Sequence, residues 1–335
     1  MIRIGIIGCG YWGPNYLRNF SQLKESRVIV CCDLLKKNLD NIKRHFNSVE
    51  VTTDYAKVLK DKRIDAIVIA TPAQTHYRIA QDVLKSDKHV LVEKPLSLKY
   101  EECRKLVNLA KVKKKILMVG HTFLFNPAVR KLKQYIRRGA LGKIYYLHAT
   151  RTHLGLIRND VNASWDLVPH DISIFSYLLE RTPVSVSALG GSFLRRPKQD
   201  VVFVNLVYPK GIIANIHASW ADSNKVREIQ VIGSRARIVF DDLNNLEKIK
   251  LYKKGISVDK SFVNFGEFQL LLRDGDILSP KVDPQEPLRL QCQHFINCLK
   301  TGKRPFTDGE NGAEVVKVMN AIDKSLKSGG RTVKI

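Results

Sequence analysis

Gly8-Cys9-Gly10-Tyr11-Trp12-Gly13 stands directly behind the apolar run Ile2 to Ile7 and ahead of a stretch with helical spacing. In that position a GxGxxG turn binds a dinucleotide pyrophosphate. The first glycine allows the tight turn, the second lets backbone approach the phosphates, and the third lets helix pack closely on strand, while the helix N-terminus faces negative charge. Asp33 closes a second strand, Arg27 to Cys32, twenty residues after Gly13. A carboxylate there accepts hydrogen bonds from a ribose diol and repels a 2′-phosphate, which favours NAD over NADP, although Lys36 and Lys37 follow closely. The blander reading is an empty tight turn with Asp33 as a strand-end cap. Tyr11 and Trp12 pack either against the cofactor, against a domain seam or in the core.

With 335 residues, 44% of them hydrophobic, the chain is long enough for two domains with their own cores. No apolar run approaches the roughly 20 residues that a membrane helix needs. A first strand starting at Ile2 leaves no room for a signal peptide, so cytoplasmic residence is the expectation. The six cysteines include no CxxC pair and fall in apparent strands and helices, where they read as small buried hydrophobes. Cys9, inside the turn, could instead have its thiol activated by the helix field. A net charge of +24 concentrates anions, but the basic residues are scattered, as in Lys36-Lys37, Lys111 to Lys115 and Arg137-Arg138. No nucleic-acid motif accompanies them, and no nucleic-acid partner is expected.

Strand-like runs at Ile2–Ile7, Val28–Cys32, Val49–Thr52, Ala66–Ile69, His89–Val92 and Ile116–Val119 alternate with helical segments. That order predicts a doubly wound parallel sheet over residues 1–122, an α/β Rossmann domain. After Gly120 the pattern changes. Beyond a helix from Pro127 to Arg138, runs at Val184–Gly190, Val201–Tyr208, Ile212–Trp220, Glu228–Ile232 and Arg237–Phe240 follow one another with hairpin-like turns. Residues 123–335 are therefore expected to form an α+β domain with a large, mostly antiparallel sheet. Trp165 to Glu180 and the stretch from Pro287 to Lys327 read as helical, and Lys253 to Pro287 as a long loop.

Three later signals belong with the glycine turn. Ala70-Thr71-Pro72, followed by His76, ends the fourth strand, where ligands of open parallel sheets collect. Glu93-Lys94-Pro95 ends the fifth, which puts a lysine near the nicotinamide end of the crevice. Asp166-Leu-Val-Pro-His170 spaces an acid and a histidine so that they share a helical face, unless Pro169 leaves Asp166 just outside the helix. His76 reads as a structural or cofactor-edge contact and His121 as lining the domain junction. The ordered set GCGYWG, ATPAQTH, EKPLSL and WDLVPHD resembles the Gfo/Idh/MocA family, that of glucose–fructose oxidoreductase and inositol dehydrogenase, over almost the entire chain.

The resemblance implies a dehydrogenase site in which Lys94, Asp166 and His170 surround a substrate hydroxyl opposite the nicotinamide, with a cis peptide before Pro95. Thr71, Pro72, His76, Glu93 and Pro95 then join Gly8, Gly10, Tyr11, Trp12, Gly13 and Asp33 around NAD. Oxidising a carbinol requires removal of the hydroxyl proton while hydride leaves the same carbon. His170 suits the proton acceptor, Lys94 the group that stabilises developing alkoxide and shares the proton, and Asp166 the group that orients the histidine or a substrate hydroxyl. No metal is needed, and no His, Cys and acid cluster has zinc spacing.

The segment Arg151 to Asn162 carries Arg151, His153, Arg158 and Asn162 ahead of the acid. It is either a solvated loop or, with Asn126, a site for a nucleotide-linked sugar whose diphosphate sits on an arginine fork. The second half is most similar to family members that oxidise the 3-hydroxyl of UDP-acetamido sugars or their uronates in polysaccharide synthesis. That resemblance also implies a homo-oligomer, dimer or tetramer, formed through the outer face of the second-domain sheet; the lack of a long apolar run leaves no membrane partner expected. The alternatives are a 3-keto-sugar reductase, a free-sugar or cyclitol dehydrogenase, and a non-catalytic NAD-binding regulator.

Overall fold

The computed structural model describes residues 1–154, 157–158, 160–194, 196–258 and 270–335. Two compact units emerge, Met1–Phe125 with Gln285–Asn320, and Asn126–Pro284 with Ala321–Ile335. A single cut at 122/123 is thus corrected, because a long C-terminal segment returns to the first unit.

In the first unit β1 (Ile2–Ile7), α1 (Gly13–Ser21), β2 (Ser26–Cys32), α2 (Lys36–His45), β3 (Glu50–Thr52), α3 (Tyr55–Lys60), β4 (Ala66–Ile69), α4 (Ala73–Lys85), β5 (His89–Glu93), α5 (Tyr100–Val112) and β6 (Leu117–Gly120) alternate as expected. The strands pair in parallel in the order β3-β2-β1-β4-β5-β6. The order in which strands are added reverses between β1 and β4, the switch point at whose carboxyl side doubly wound sheets bind ligands. β4 is buried at every position, as a strand covered on both faces must be.

The second unit contains α6 (Pro127–Arg137), β7 (Ile144–Leu154), α7 (Ala163–Leu179), β8 (Ser185–Gly191), β9 (Val201–Val207), β10 (Ile213–Ser219), β11 (Ala221–Gly233), β12 (Arg237–Asp241), β13 (Ile249–Tyr252), β14 (Gly255–Val258), β15 (Leu270–Arg273) and β16 (Ile277–Leu278). Two helices follow, α8 (Pro287–Thr301) and α9 (Gly309–Lys327), then β17 (Val333–Lys334). Nine strands form one sheet, β16-β13-β12-β11-β7-β10-β9-β8-β17, antiparallel except for the β7–β10 pair. Strict alternation along β9, with Val202, Val204 and Leu206 buried, shows one face covered and the other open.

Several expectations change. The Arg151 to Asn162 loop begins as the end of β7, a central strand. Its buried Arg151 breaks the apolar pattern that would have announced it. The expected loop from Lys253 carries β14, β15 and β16, and its residues 259–269 lie outside the described residues.

α8 explains the returning segment. Leu288, Cys292, Phe295 and Ile296 are buried in one cluster with Tyr16, Leu17 and Phe20 of α1, and the Phe20 and Phe295 rings meet at 6.4 Å. Each such aliphatic or aromatic side chain contributes about 1.5–3 kcal/mol on burial. At the head of α8, Glu286 receives both arms of Arg18, at 3.0 and 2.6 Å, and the Asn19 amide at 3.2 Å.

Candidate active site

The three glycines of the turn meet three different surroundings. Gly8 has φ +96°, and a Cβ there would lie 2.6 Å from the Ala70 backbone at the end of β4. A Cβ on Gly13 would sit on the Gly8 carbonyl oxygen, so only glycine lets α1 start this close to β1. Around Gly10, by contrast, a Cβ would meet no protein atom within 4 Å. The first helical turn carries no acidic residue and no side-chain cap. Pro14 has no N–H and the Tyr16 N–H is bonded to the Trp12 carbonyl, so the Gly13 and Asn15 N–H groups are the ones left for an anion.

Asp33 closes the turn from below. Its carboxylate accepts the Cys9 N–H at 2.6 Å on one oxygen and the Leu35 N–H at 2.8 Å on the other. The strand-end cap is therefore real, and a carboxylate with about four acceptor sites retains capacity for a ribose diol. An open cradle at Gly10, unpaired helix amides and an acid at the end of β2 fit a dinucleotide. Tyr11 and Trp12 are exposed, in a T-shaped contact at 5.3 Å, and belong to no core. Cys9 is packed, and its hydrogen bond with Cys31, then burial, push the thiol up, against an activated cysteine. All six cysteines are buried and free.

Lys94 stands out by contrast with its neighbours. From Leu91 to Ser97 every residue is buried except Lys94. The peptide joining it to Pro95 is cis. On its amino side, buried Glu93 accepts the Tyr16 hydroxyl at 2.6 Å and the Lys94 N–H at 3.1 Å. Gln291 of α8 donates to the Tyr16 oxygen at 2.8 Å and accepts from Thr122 at 2.8 Å. On its carboxyl side, His76, 1% exposed, reaches the Pro95 carbonyl at 2.7 Å and the Thr71 carbonyl at 2.8 Å. His76 is thus a brace between the β4 and β5 ends. Thr71 is half-buried and Pro72 exposed, with the Thr71 hydroxyl bonded to Thr75 at 2.7 Å.

Tyr16 and Gln291 were not legible as site residues. Tyr16 looks like a core aromatic, and the one available signal is a glutamine on the apolar face of α8.

In the second unit Asn162 caps α7, its side chain accepting the Trp165 N–H at 3.0 Å. The helix therefore starts before Asp166. Pro169 is accommodated inside it, so Asp166 does not lie outside. Asp166 and His170 share a helical face one turn apart. From Ala163 to Phe175 they are the only residues that are not buried. Asp166 accepts from Arg158 at 3.2 Å and from the Trp220 indole at 3.3 Å. His153 lies within electrostatic reach; burial lowers its imidazole pKa and the Asp166 carboxylate partly restores it.

The arginines are otherwise occupied. Arg151, 4% exposed, forms a two-pronged pair with buried Asp171, at 3.0 and 2.7 Å. Arg158 grips Asp160 at 2.9 and 2.6 Å besides reaching Asp166. Both forks expected to take a diphosphate are committed to carboxylates. Asn126, 5% exposed, caps α6 and donates to Asp242 at 3.3 Å, and the Asn162 amide donates to Gln199 at 2.9 Å. These two asparagines hold structure. Gly155, Leu156 and Asn159 lie outside the described residues. Among the described residues no His, Cys, Asp and Glu group could hold a metal ion, and no helix is long and apolar enough to cross a membrane.

Residues 2–121 match the model of the oxidoreductase family with an NAD-binding Rossmann fold, and residues 129–239 match the GFO/IDH/MocA C-terminal domain. The chain belongs to the Gfo/Idh/MocA family of NAD-dependent oxidoreductases. It is 27% identical to scyllo-inositol 2-dehydrogenase (NAD(+)) of Bacillus subtilis over 98% of this chain and 95% of that one. With UDP-N-acetylglucosamine 3-dehydrogenase of Acidithiobacillus ferrooxidans it shares 25% identity over 94% of each. The solved structure of that Acidithiobacillus enzyme superposes with a TM-score of 0.83 at 23% identity over 98% of both chains.

Proposed function

We propose that this member of the family oxidises a secondary hydroxyl of a sugar, the 3-hydroxyl of a UDP-N-acetylhexosamine or its uronate, and passes the hydride to NAD. One observation carries the reading. In two otherwise buried segments, 91–97 and 163–175, the residues left unburied are Lys94, Asp166 and His170. Gly8, Gly10, Gly13, Asp33 and the α1 amides would hold the dinucleotide, whose nicotinamide supplies the hydride acceptor when bound. His170 takes the hydroxyl proton, and Lys94 donates a hydrogen bond to the oxygen as negative charge develops on it. Asp166 orients the histidine or a neighbouring hydroxyl. Buried Glu93 and His76 fix the backbone on both sides of Lys94, which keeps its ammonium aimed while chemistry proceeds.

A second reading, a free cyclitol or sugar dehydrogenase, has specific support. Arg151 and Arg158 are paired with carboxylates, so neither offers a free fork to a diphosphate. Likeness to an inositol dehydrogenase points the same way. Assembly into a homo-oligomer is part of the proposal. The open sheet face presents Tyr146, Leu189, Phe203, Val207 and Ile213, with Phe203 stacked on His217 at 4.4 Å, an apolar surface suited to a second copy.

The test is a single turnover, with enzyme and NAD at equal concentration mixed with UDP-acetamido sugars, their uronates, free sugars or inositol, while reduced nicotinamide absorbance is followed. A rise with one UDP sugar supports the first reading and a rise with free polyols alone supports the second. Silence throughout leaves a 3-keto-sugar reductase or a regulator. Lys94→Ala should abolish turnover and keep NAD binding; unaltered turnover would sink the assignment.

A further inference from the structure

β5 and β6 run parallel, and their register sets Glu93 opposite Gly120. The next residue of each strand, Lys94 and His121, therefore leaves the sheet beside the other, at the carboxyl ends where ligands of such sheets collect. The chain turns at once. His121 N–H donates to the Val119 carbonyl at 2.8 Å, and the His121 carbonyl accepts the Leu124 N–H at 3.0 Å. Its side chain is 1% exposed, and neither Nδ1 nor Nε2 has a hydrogen-bond partner among the described residues.

Buried polar groups are nearly always paired, because an unpaired one forfeits its hydration without return. An imidazole with both nitrogens unpaired gives the folded chain only its packing volume. Burial, with the Lys94 charge as second cause, pushes its pKa down to about 3, so the ring is neutral. It then offers one N–H donor and one lone pair, and no charge for a phosphate or carboxylate. A hydroxyl, which both donates and accepts, is its chemical complement.

We propose that His121 is a further substrate-binding residue, hydrogen-bonded to a sugar hydroxyl adjacent to the one that Lys94 engages. The assignment rests on the reading of Lys94 given above. It makes the substrate class a ring with neighbouring hydroxyls, read by a neutral imidazole on one carbon and an ammonium on the next. A nicotinamide carboxamide shares the donor and acceptor chemistry, and separate binding measurements distinguish the two.

The experiment replaces His121 by Phe, or by Leu should the larger ring overpack. Three quantities are measured: the melting temperature of the cofactor-free protein, the NADH dissociation constant by fluorescence, and kcat/KM with UDP-N-acetylglucosamine and myo-inositol. Removing an unpaired buried polar ring should raise the melting temperature, lower kcat/KM roughly tenfold or more, and leave NADH affinity within about twofold. His121→Asn, which restores a donor and an acceptor, should recover part of the loss. A lower melting temperature would make His121 a structural residue and overturn the proposal. So would an unchanged kcat/KM, which means that a buried water satisfies the ring, or a loss confined to NADH binding. Lys94→Ala in the same assay separates the failures. Lost turnover there beside unchanged kcat/KM in His121→Phe rejects this proposal alone, whereas retained turnover in Lys94→Ala, or a wild type inert toward every sugar and polyol of the single-turnover panel, rejects the dehydrogenase reading of Lys94 and this proposal with it.

Discussion

Tyr16, in the helix that follows the glycine turn, donates its phenolic hydrogen to Glu93, the residue before Lys94, across 2.6 Å. The bond joins the cofactor half of the fold to the lysine, and Gln291 arrives from α8 to hold the phenol in place. Gly120 leaves the space for it, since a Cβ there would stand 3.0 Å from the Tyr16 oxygen and 3.1 Å from Glu93.

Tyr16→Phe should therefore cost more than a surface hydroxyl would. It leaves one Glu93 oxygen and the Gln291 amide without their buried partner, a loss of about 1–3 kcal/mol. Urea unfolding should show that loss, and single-turnover rates should fall because the backbone at Lys94 is less firmly held. Wild-type rates in a destabilised Tyr16→Phe protein would limit the network to a folding role.

The glycine turn gives a paired prediction. Gly13→Ala places a methyl on the Gly8 carbonyl and should destabilise the protein by about 1–3 kcal/mol, as overpacking does. Gly10→Ala meets no protein atom, so its melting temperature should match the wild type while NAD affinity falls roughly tenfold or more. Calorimetry with and without NAD separates the two, and full NAD affinity in Gly10→Ala would mean that the pyrophosphate lies elsewhere.

Arg151 and Asp171 are both buried and mutually satisfied. Arg151→Ala alone should cost about 3–5 kcal/mol by stranding a buried carboxylate, whereas the double replacement Arg151→Met with Asp171→Leu should lie near wild-type stability. Chemical denaturation of both variants checks this. A stable Arg151→Ala with a raised Michaelis constant would restore the arginine to the substrate.

Stability should decline in alkali. Burial pushes Cys32 and Cys103 up to about 12 and raises Cys292 and Tyr16 well above their ordinary values. In the unfolded chain thiols ionise near about 8.5 and the phenol near about 10. Between those values and the folded ones the unfolded state binds fewer protons, so the stabilisation is complete below pH 8.5 or so and is lost as pH rises. Melting temperatures from pH 7 to 10.5 should fall progressively, and a flat profile would show that these groups titrate alike in both states.

Local order of residue types determined the first unit. Gly8 to Gly13 behind an apolar run, Asp33 at the next strand end, and strands alternating with helices leave one economical fold, because turn chemistry and hydrophobic period act over short stretches of chain. Lys94, Asp166 and His170 could be proposed from the motif order together with the family it resembles. Tertiary structure decided what lies far apart in sequence. Nothing in the text of α8 says that it returns to α1, or that Gln291 reaches Tyr16 over 275 residues. Nor does any pattern tell whether a fork of an arginine faces a ligand or, like Arg151, a carboxylate 20 residues away. Those outcomes depend on which surfaces exclude water together, and long-range packing sets that.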